Sequence, residues 1–154
     1  MTFLKSYFIN TTDEVDVLNV SNDVKFAIRD SGGKDGLATV IISGPGAGVT
    51  LLEPLPEVIE ELKVAFEVFA GEGAAAKDKK KKEIYVNPRV QAAILGRSIS
   101  VPIKDALLVL DPYEEIFLVD FDKKMRRREF KVQIMAQAES QPQQSKGAPP
   151  PKKK

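Results

Sequence analysis

The chain of 154 residues contains no histidine and no cysteine. Any chemistry therefore falls to Asp, Glu, Lys, Arg, Tyr and the backbone. A Ser-His-Asp triad cannot be assembled. Neither can a zinc site of imidazoles and thiolates, nor a disulfide. A metal would need an all-oxygen site; the sequence predicts no metal site and no cofactor. A general acid or base would have to be Asp, Glu, Lys or Tyr, and no catalytic residue stands out.

Several positions have the chemistry of ligand binding. Gly44-Pro45-Gly46-Ala47-Gly48 could form a phosphate cradle, because glycines let backbone N–H groups converge on an anion. Phosphate loops ordinarily precede a helix. Here the residues that follow read as a strand, so a plain tight turn stays open beside the anion-binding reading. Arg89 opens a helix, where the dipole disfavours a cation. It reads as an anion ligand or as a surface arginine following Pro88. Glu53 stands at a strand-to-helix junction, as a binding carboxylate or as an acid favoured at the first helical turn. Glu114 and Glu115 are neighbours, so on a strand one faces inward and the other is solvated.

The elements that must position these residues follow from periodicity. Phe3–Ile9 and Glu14–Val20 read as strands joined through the turn residues Asn10-Thr11-Thr12-Asp13, which predicts a hairpin. Ser21 or Asn22 then caps a helix whose Val24, Ala27 and Ile28 share a face, ended by Gly32-Gly33. Leu37–Ile42 is a nearly unbroken apolar run, expected to be a central strand buried on both faces. After the glycine-rich turn and a strand at Val49–Leu52, Pro54 and Pro56 open the longest helix. Its Leu55, Val58, Ile59, Leu62, Ala65, Phe66 and Phe69 recur with helical period, so one face packs on the sheet. Gly71–Lys82 reads as a loop with a lysine run. Asn87 caps a helix from Pro88 to Leu95, stopped by Gly96. Ser98–Ile103, Ala106–Leu110, Glu115–Phe121 and Arg128–Ala136 read as strands, with Asp122-Lys123-Lys124 as a hairpin turn.

This pattern predicts an α+β fold, mostly antiparallel sheet with about three packed helices. It forms a single domain over residues 1–136. Residues 137–154 are rich in Gln, Pro and Lys and are expected to be a disordered tail. The apolar fraction of 43% is that of a globular chain. The net charge of +1 divides unevenly: the tail carries four lysines against Glu139, leaving the body weakly acidic. No apolar run is long enough to span a membrane and the start is no signal peptide, so a cytoplasmic location is expected. The lysine runs at 77–82 and 152–154 could contact nucleic acid. No aromatics are interleaved for base stacking, which favours a solvated loop and a solubilising tail.

Certain phrases resemble those of the YjbQ family. Asp30-Ser31-Gly32-Gly33-Lys34-Asp35-Gly36-Leu37 is similar to the family's "ESGVKDGL". Val49-Thr50-Leu51-Leu52-Glu53-Pro54 is similar to the end of "HTTAAVTINEP". Ala92–Ser98 resembles "AALLGRS", Asp111–Phe117 resembles "GPWEQIF", and Asp120-Phe121-Asp122 resembles "EFDG" with arginines following. The match runs in order over roughly residues 14–136. It implies a YjbQ-like fold, a homotrimer with pockets near subunit contacts, and a link to a secondary thiamine-phosphate synthase activity. It also places the family's signature histidine at Gly44, its two threonines at Pro45 and Gly46, and a second histidine at Arg89. A further family histidine falls in the Ala74–Lys82 loop, and the tryptophan becomes Tyr113. The family's arginines near the pocket fall among Arg126, Arg127 and Arg128. With every imidazole replaced, the resemblance implies lost or altered catalysis, with Arg89 standing in as an anion ligand and a phosphorylated small molecule as the expected ligand. A non-catalytic assembly or nucleic-acid-binding protein on the same fold is the alternative.

Overall fold

From Phe130 to Ala136 every second residue of the last strand is apolar and buried, and that alternation builds the molecule. In the computed structural model, which describes residues 1–70, 76–77, 83–84 and 88–138, β10 (Arg127–Ala138) turns Phe130, Val132, Ile134 and Ala136 inward. It lies between β1 (Thr2–Asn10) and β3 (Gly33–Ile42), antiparallel to both. With β7 (Ser98–Lys104) and β8 (Leu107–Leu108) these make a sheet of five strands in the order β1-β10-β3-β7-β8. A second sheet has the order β2-β9-β4, from β2 (Asp16–Asn19), β9 (Glu115–Asp120) and β4 (Ala47–Leu52). Two short strands, β5 (Ala76–Lys77) and β6 (Glu83–Ile84), pair separately.

The main core lies between the two sheets and α1 (Ser21–Ser31). Val24, Ala27 and Ile28 of α1 meet Val40 and Ile42 of β3, Val132 and Ile134 of β10, and Ile116 and Leu118 of β9. The other face of β9 is also covered. Val119, and Phe121 just beyond the strand, pack with Phe66 of α2 (Pro56–Ala70) and Ala92 of α3 (Pro88–Leu95). The Phe66 and Phe121 ring centroids are 4.8 Å apart. The three helices and mostly antiparallel, curled sheets are the α+β architecture that the periodicity predicts. β10 continues to Ala138, and residues 139–154, most of the expected tail, lie outside the described residues.

Several local expectations are corrected. β1 and β2 are not a hairpin: they belong to different sheets. The segment between them crosses from one sheet to the other, pinned where Thr11 Oγ1 donates to the Lys124 carbonyl (2.8 Å) and its amide donates to Arg126 (2.9 Å). The Asp122–Lys124 turn is likewise no hairpin, since β9 and β10 also lie in different sheets. Both links are crossovers, and Thr11 ties one to the other. The strand enclosed on both faces is β9 rather than β3. Leu37 and Ile41 of β3 are 39% and 43% exposed on the outer face of the five-stranded sheet, which no element of the described residues covers. Ser21 does not cap α1. Val20 holds the N-cap position without a side-chain bond, and the Ser21 hydroxyl instead accepts from the Ile116 amide (2.8 Å), tying α1 to β9. In α2, Leu62 and Phe66 face the second sheet, whereas Val64 and Val68 are exposed.

Candidate functional site

The β3–β4 turn has proline followed by glycine at its centre, the order in which proline fixes φ and glycine supplies the positive φ of a type II turn. Gly44 and Gly46 have φ of 81° and 83°, in the left-handed region. A side chain at Gly46 would begin 3.2 Å from the Asp122 Cβ and 3.5 Å from the Pro88 Cβ. The turn therefore sits against both the start of α3 and the link after β9.

Buried charge holds the turn. Arg128 of β10 and Asp120 of β9 are 3% and 1% exposed, and the Arg128 Nε donates to Asp120 Oδ2 at 2.8 Å. The same guanidinium donates through Nη1 to the carbonyls of Ser43 (3.3 Å) and Pro45 (3.0 Å). The other Asp120 oxygen accepts from the Asp122 amide (2.9 Å). The Phe121 amide donates to the Gly46 carbonyl (2.8 Å). With its carbonyls drawn to Arg128 and Phe121, the turn is fixed from behind. Among the described residues, neither the Gly44 nor the Gly46 amide has a protein acceptor.

In front of the turn is a cavity of about 400 Å³ lined by Gly44, Pro45, Gly46, Arg89, Ala92 and Arg97. Arg89 arrives as the second residue of α3, and Arg97 follows the Gly96 that ends it. Arg97 Nη2 donates to the Ile42 carbonyl (2.7 Å), which anchors the side chain at the cavity edge. Packing of α3 on β4 brings the two arginines to the turn. Gly48 makes this approach possible: a Cβ there would stand 2.5 Å from the Gly96 carbonyl oxygen, which accepts from the Val49 amide at 2.9 Å. Among the described residues, the lining holds two cations and no carboxylate, so its field favours an anion. Among the described residues, no group of three or more carboxylates is gathered as metal ligands would be.

The family described as "UPF0047 protein YjbQ-like" matches residues 5–137. The chain belongs to the YjbQ family. Solved structures agree on the YjbQ-like fold. An uncharacterised YjbQ/UPF0047 protein from C. acetobutylicum is 26% identical, with a TM-score of 0.72 over 85% of this chain and 99% of that one. A protein of unknown function from Sulfolobus solfataricus is 19% identical, with a TM-score of 0.78 over 89% and 99%. A hypothetical protein from Aeropyrum pernix is 21% identical, with a TM-score of 0.76 over 88% and 99%. No curated protein matches the chain.

Within this YjbQ-family chain, the positions where the motif resemblance puts two of the family's histidines and its two threonines, Gly44, Pro45, Gly46 and Arg89, line one cavity; the loop expected to carry the third, 74–82, lies outside the described residues except for Ala76 and Lys77. The other candidates lie apart from it. Glu53 is exposed and precedes α2, whose first-turn acid is Glu57; its carbonyl accepts from the Leu55 amide (2.8 Å). Arg126 does not line the cavity but is ion-paired with Asp122, behind Gly46. Glu114 lines a different cavity together with Glu115, so the two are not split between inside and solvent as strand alternation suggests. Glu114 precedes β9 and is not bound by that alternation.

Arg97 and Asp120 are not sequence candidates, and Arg128 is one only as a member of the Arg126–Arg128 run. Arg97 reads only as the residue after a helix stop. Arg128 did carry a signal: it shares the even-numbered, inward register of Phe130, Val132 and Ile134, and a cation in an apolar row needs a buried partner.

Proposed function

We propose that this YjbQ-family chain binds a small phosphorylated molecule in the cavity of Gly44, Gly46, Arg89 and Arg97, and that the catalysis of histidine-bearing relatives is lost or altered in it. One observation carries the reading: two left-handed glycines and two guanidinium groups line a single cavity and, among the described residues, no carboxylate lines it. Amides of a glycine turn donate to phosphate oxygens, and guanidinium donates to them in pairs. The volume of about 400 Å³ suits a small ligand. The chain has no imidazole to exchange a proton near neutral pH, so the cavity is equipped to hold an anion rather than to turn it over. A trimer with this cavity near a subunit contact belongs to the same proposal. The outer sheet face, with Leu4, Phe8, Leu37, Ile41 and Met135 exposed, is apolar enough to be covered by another copy. So does a cytoplasmic location. Among the described residues no helix is long and apolar enough to cross a membrane.

Calorimetry with pyrophosphate tests the binding. Wild-type protein should bind, and Arg89→Gln and Arg97→Gln should each weaken binding by about 1.5–3 kcal/mol, the usual worth of a charge-assisted hydrogen bond. Undiminished binding in both variants would remove the arginines from the reading. In a thiamine-phosphate synthase assay the chain should fall far below a histidine-bearing relative. Equal turnover would refute the claim about catalysis. Binding to RNA or DNA that falls steeply with salt, in place of pyrophosphate binding, would favour the nucleic-acid alternative.

A further inference from the structure

The second cavity, of about 560 Å³, opens between α1 and the segment from β8 to the start of β9. Its floor is apolar: Phe26, Leu107, Leu108 and Leu110 line it, and Leu107 is 70% exposed. Its charges are sorted by wall. Lys25 and Arg29 stand on α1, one helical turn apart, while Glu114 and Glu115 stand opposite at the entry to β9. Arg29 bonds to its neighbour Asp30 (3.0 Å) and its guanidinium carbon lies 5.0 Å from the Phe26 ring centroid. Among the described residues, neither cation pairs with either carboxylate, so the walls stand farther apart than an ion pair. Glu115 Oε2 is shielded from solvent and, among the described residues, has no hydrogen-bond partner. A carboxylate oxygen in that position lacks a donor.

Two turns frame the cavity. Asp105 and Ala106, with φ of 51° and 61°, are the two-residue loop of the β7–β8 hairpin, whose type I′ geometry takes positive φ at both positions, and Tyr113, with φ of 67°, is the third residue of the turn that the Glu114 amide closes on the Asp111 carbonyl (3.1 Å). Ala106 lines the cavity and Tyr113 adjoins Glu114. Asp35 fixes the first pair, its Oδ1 accepting from the Asp105 amide (2.9 Å) while its Oδ2 pairs with Lys104 (3.1 Å).

We infer that this cavity binds a small zwitterion with an apolar body, its ammonium group donating to Glu115 Oε2 beside Glu114 and its anionic end meeting Lys25 and Arg29. The lining sums to no net charge, which disfavours a simple anion or cation. Charges on opposite walls call for a molecule whose own charges lie at opposite ends. A free amino acid carries both on one carbon. An apolar dipeptide separates them by roughly 7 Å when extended and offers side chains to the apolar floor. The inference does not depend on the arginine-lined cavity.

Leucyl-leucine is the probe, titrated into uniformly labelled protein and followed by amide chemical shifts. Saturable shifts should centre on Phe26, Leu107, Leu108 and Glu115. Glu115→Gln and, at an exposed position that leaves the fold intact, Lys25→Met should each weaken binding at least ~10-fold. The acetylated and amidated dipeptide, which has no charges, should not bind. The inference is overturned if no saturable shift appears at those amides, if the uncharged dipeptide binds equally well, or if both variants bind like wild type.

Discussion

The two cavities are built in opposite ways. The arginine-lined one has a backbone wall, the Gly44–Gly46 turn, held from behind by the buried Asp120–Arg128 pair. The one beside α1 has walls of side chains, apolar below and charged at the rim, held by exposed ion pairs such as Arg29–Asp30 and Lys104–Asp35. A buried pair cannot lose one partner without stranding the other. An exposed pair can, because water replaces the partner. The first cavity is therefore fixed together with the core, whereas the exposed Lys25 and Arg29 at the rim of the second can be altered with little effect on the fold.

The sharpest way to break that contrast is at Arg128. Arg128→Met leaves Asp120 charged and buried, and should cost about 3–5 kcal/mol in urea unfolding. A loss below about 1 kcal/mol, the range of exposed pairs, would erase the difference between the regions. A smaller effect is expected from Gly48→Ala. The new Cβ would meet the Gly96 carbonyl oxygen, 2.5 Å away, and push α3 off β4. Overpacking of this kind costs about 1–3 kcal/mol, and pyrophosphate affinity should fall with it because Arg89 stands on α3 and Arg97 follows just beyond it. Unchanged stability and affinity would mean that α3 does not position the arginines.

The smallest effect belongs to Asp30, near the second cavity. Hydrogen bonds from Lys5, then from Arg29, hold its carboxyl below the ordinary carboxylate range. A lowered folded-state pKa contributes stability at neutral pH that is lost as pH falls through that pKa. Asp30→Asn should therefore make the acid-side fall of the melting temperature, below about pH 4, slightly shallower. A steeper fall would contradict the assignment.

Much of the fold is legible in residue order because periodicity is local. Val24, Ala27 and Ile28 mark the inner face of α1, and the even positions of β10 mark its buried side. Strand pairing is not local. Asn10-Thr11-Thr12-Asp13 has turn chemistry whether the chain folds back or crosses to another sheet. The choice is made by Thr11 bonding to Lys124 and Arg126, more than a hundred residues away. An apolar run such as Leu37–Ile42 shows that a strand exists, but does not show which of its faces the rest of the chain covers. The glycine turn and Arg89 were legible as candidates because unusual residue types sit at element ends. Arg97 joined them only through the packing of α3 on β4. Glu114 separated from them because the five-stranded sheet's edge at β8, together with α1, encloses it elsewhere.

We propose the β3–β4 turn and its two arginines as an anion site. Amide chemical shifts recorded while pyrophosphate is added test it most directly. Saturable movement of the Gly44 and Gly46 signals is expected, abolished in an Arg89→Gln, Arg97→Gln double variant that keeps the wild-type spectrum elsewhere. Stationary Gly44 and Gly46 signals in wild-type protein, or identical movement in the double variant, would contradict it.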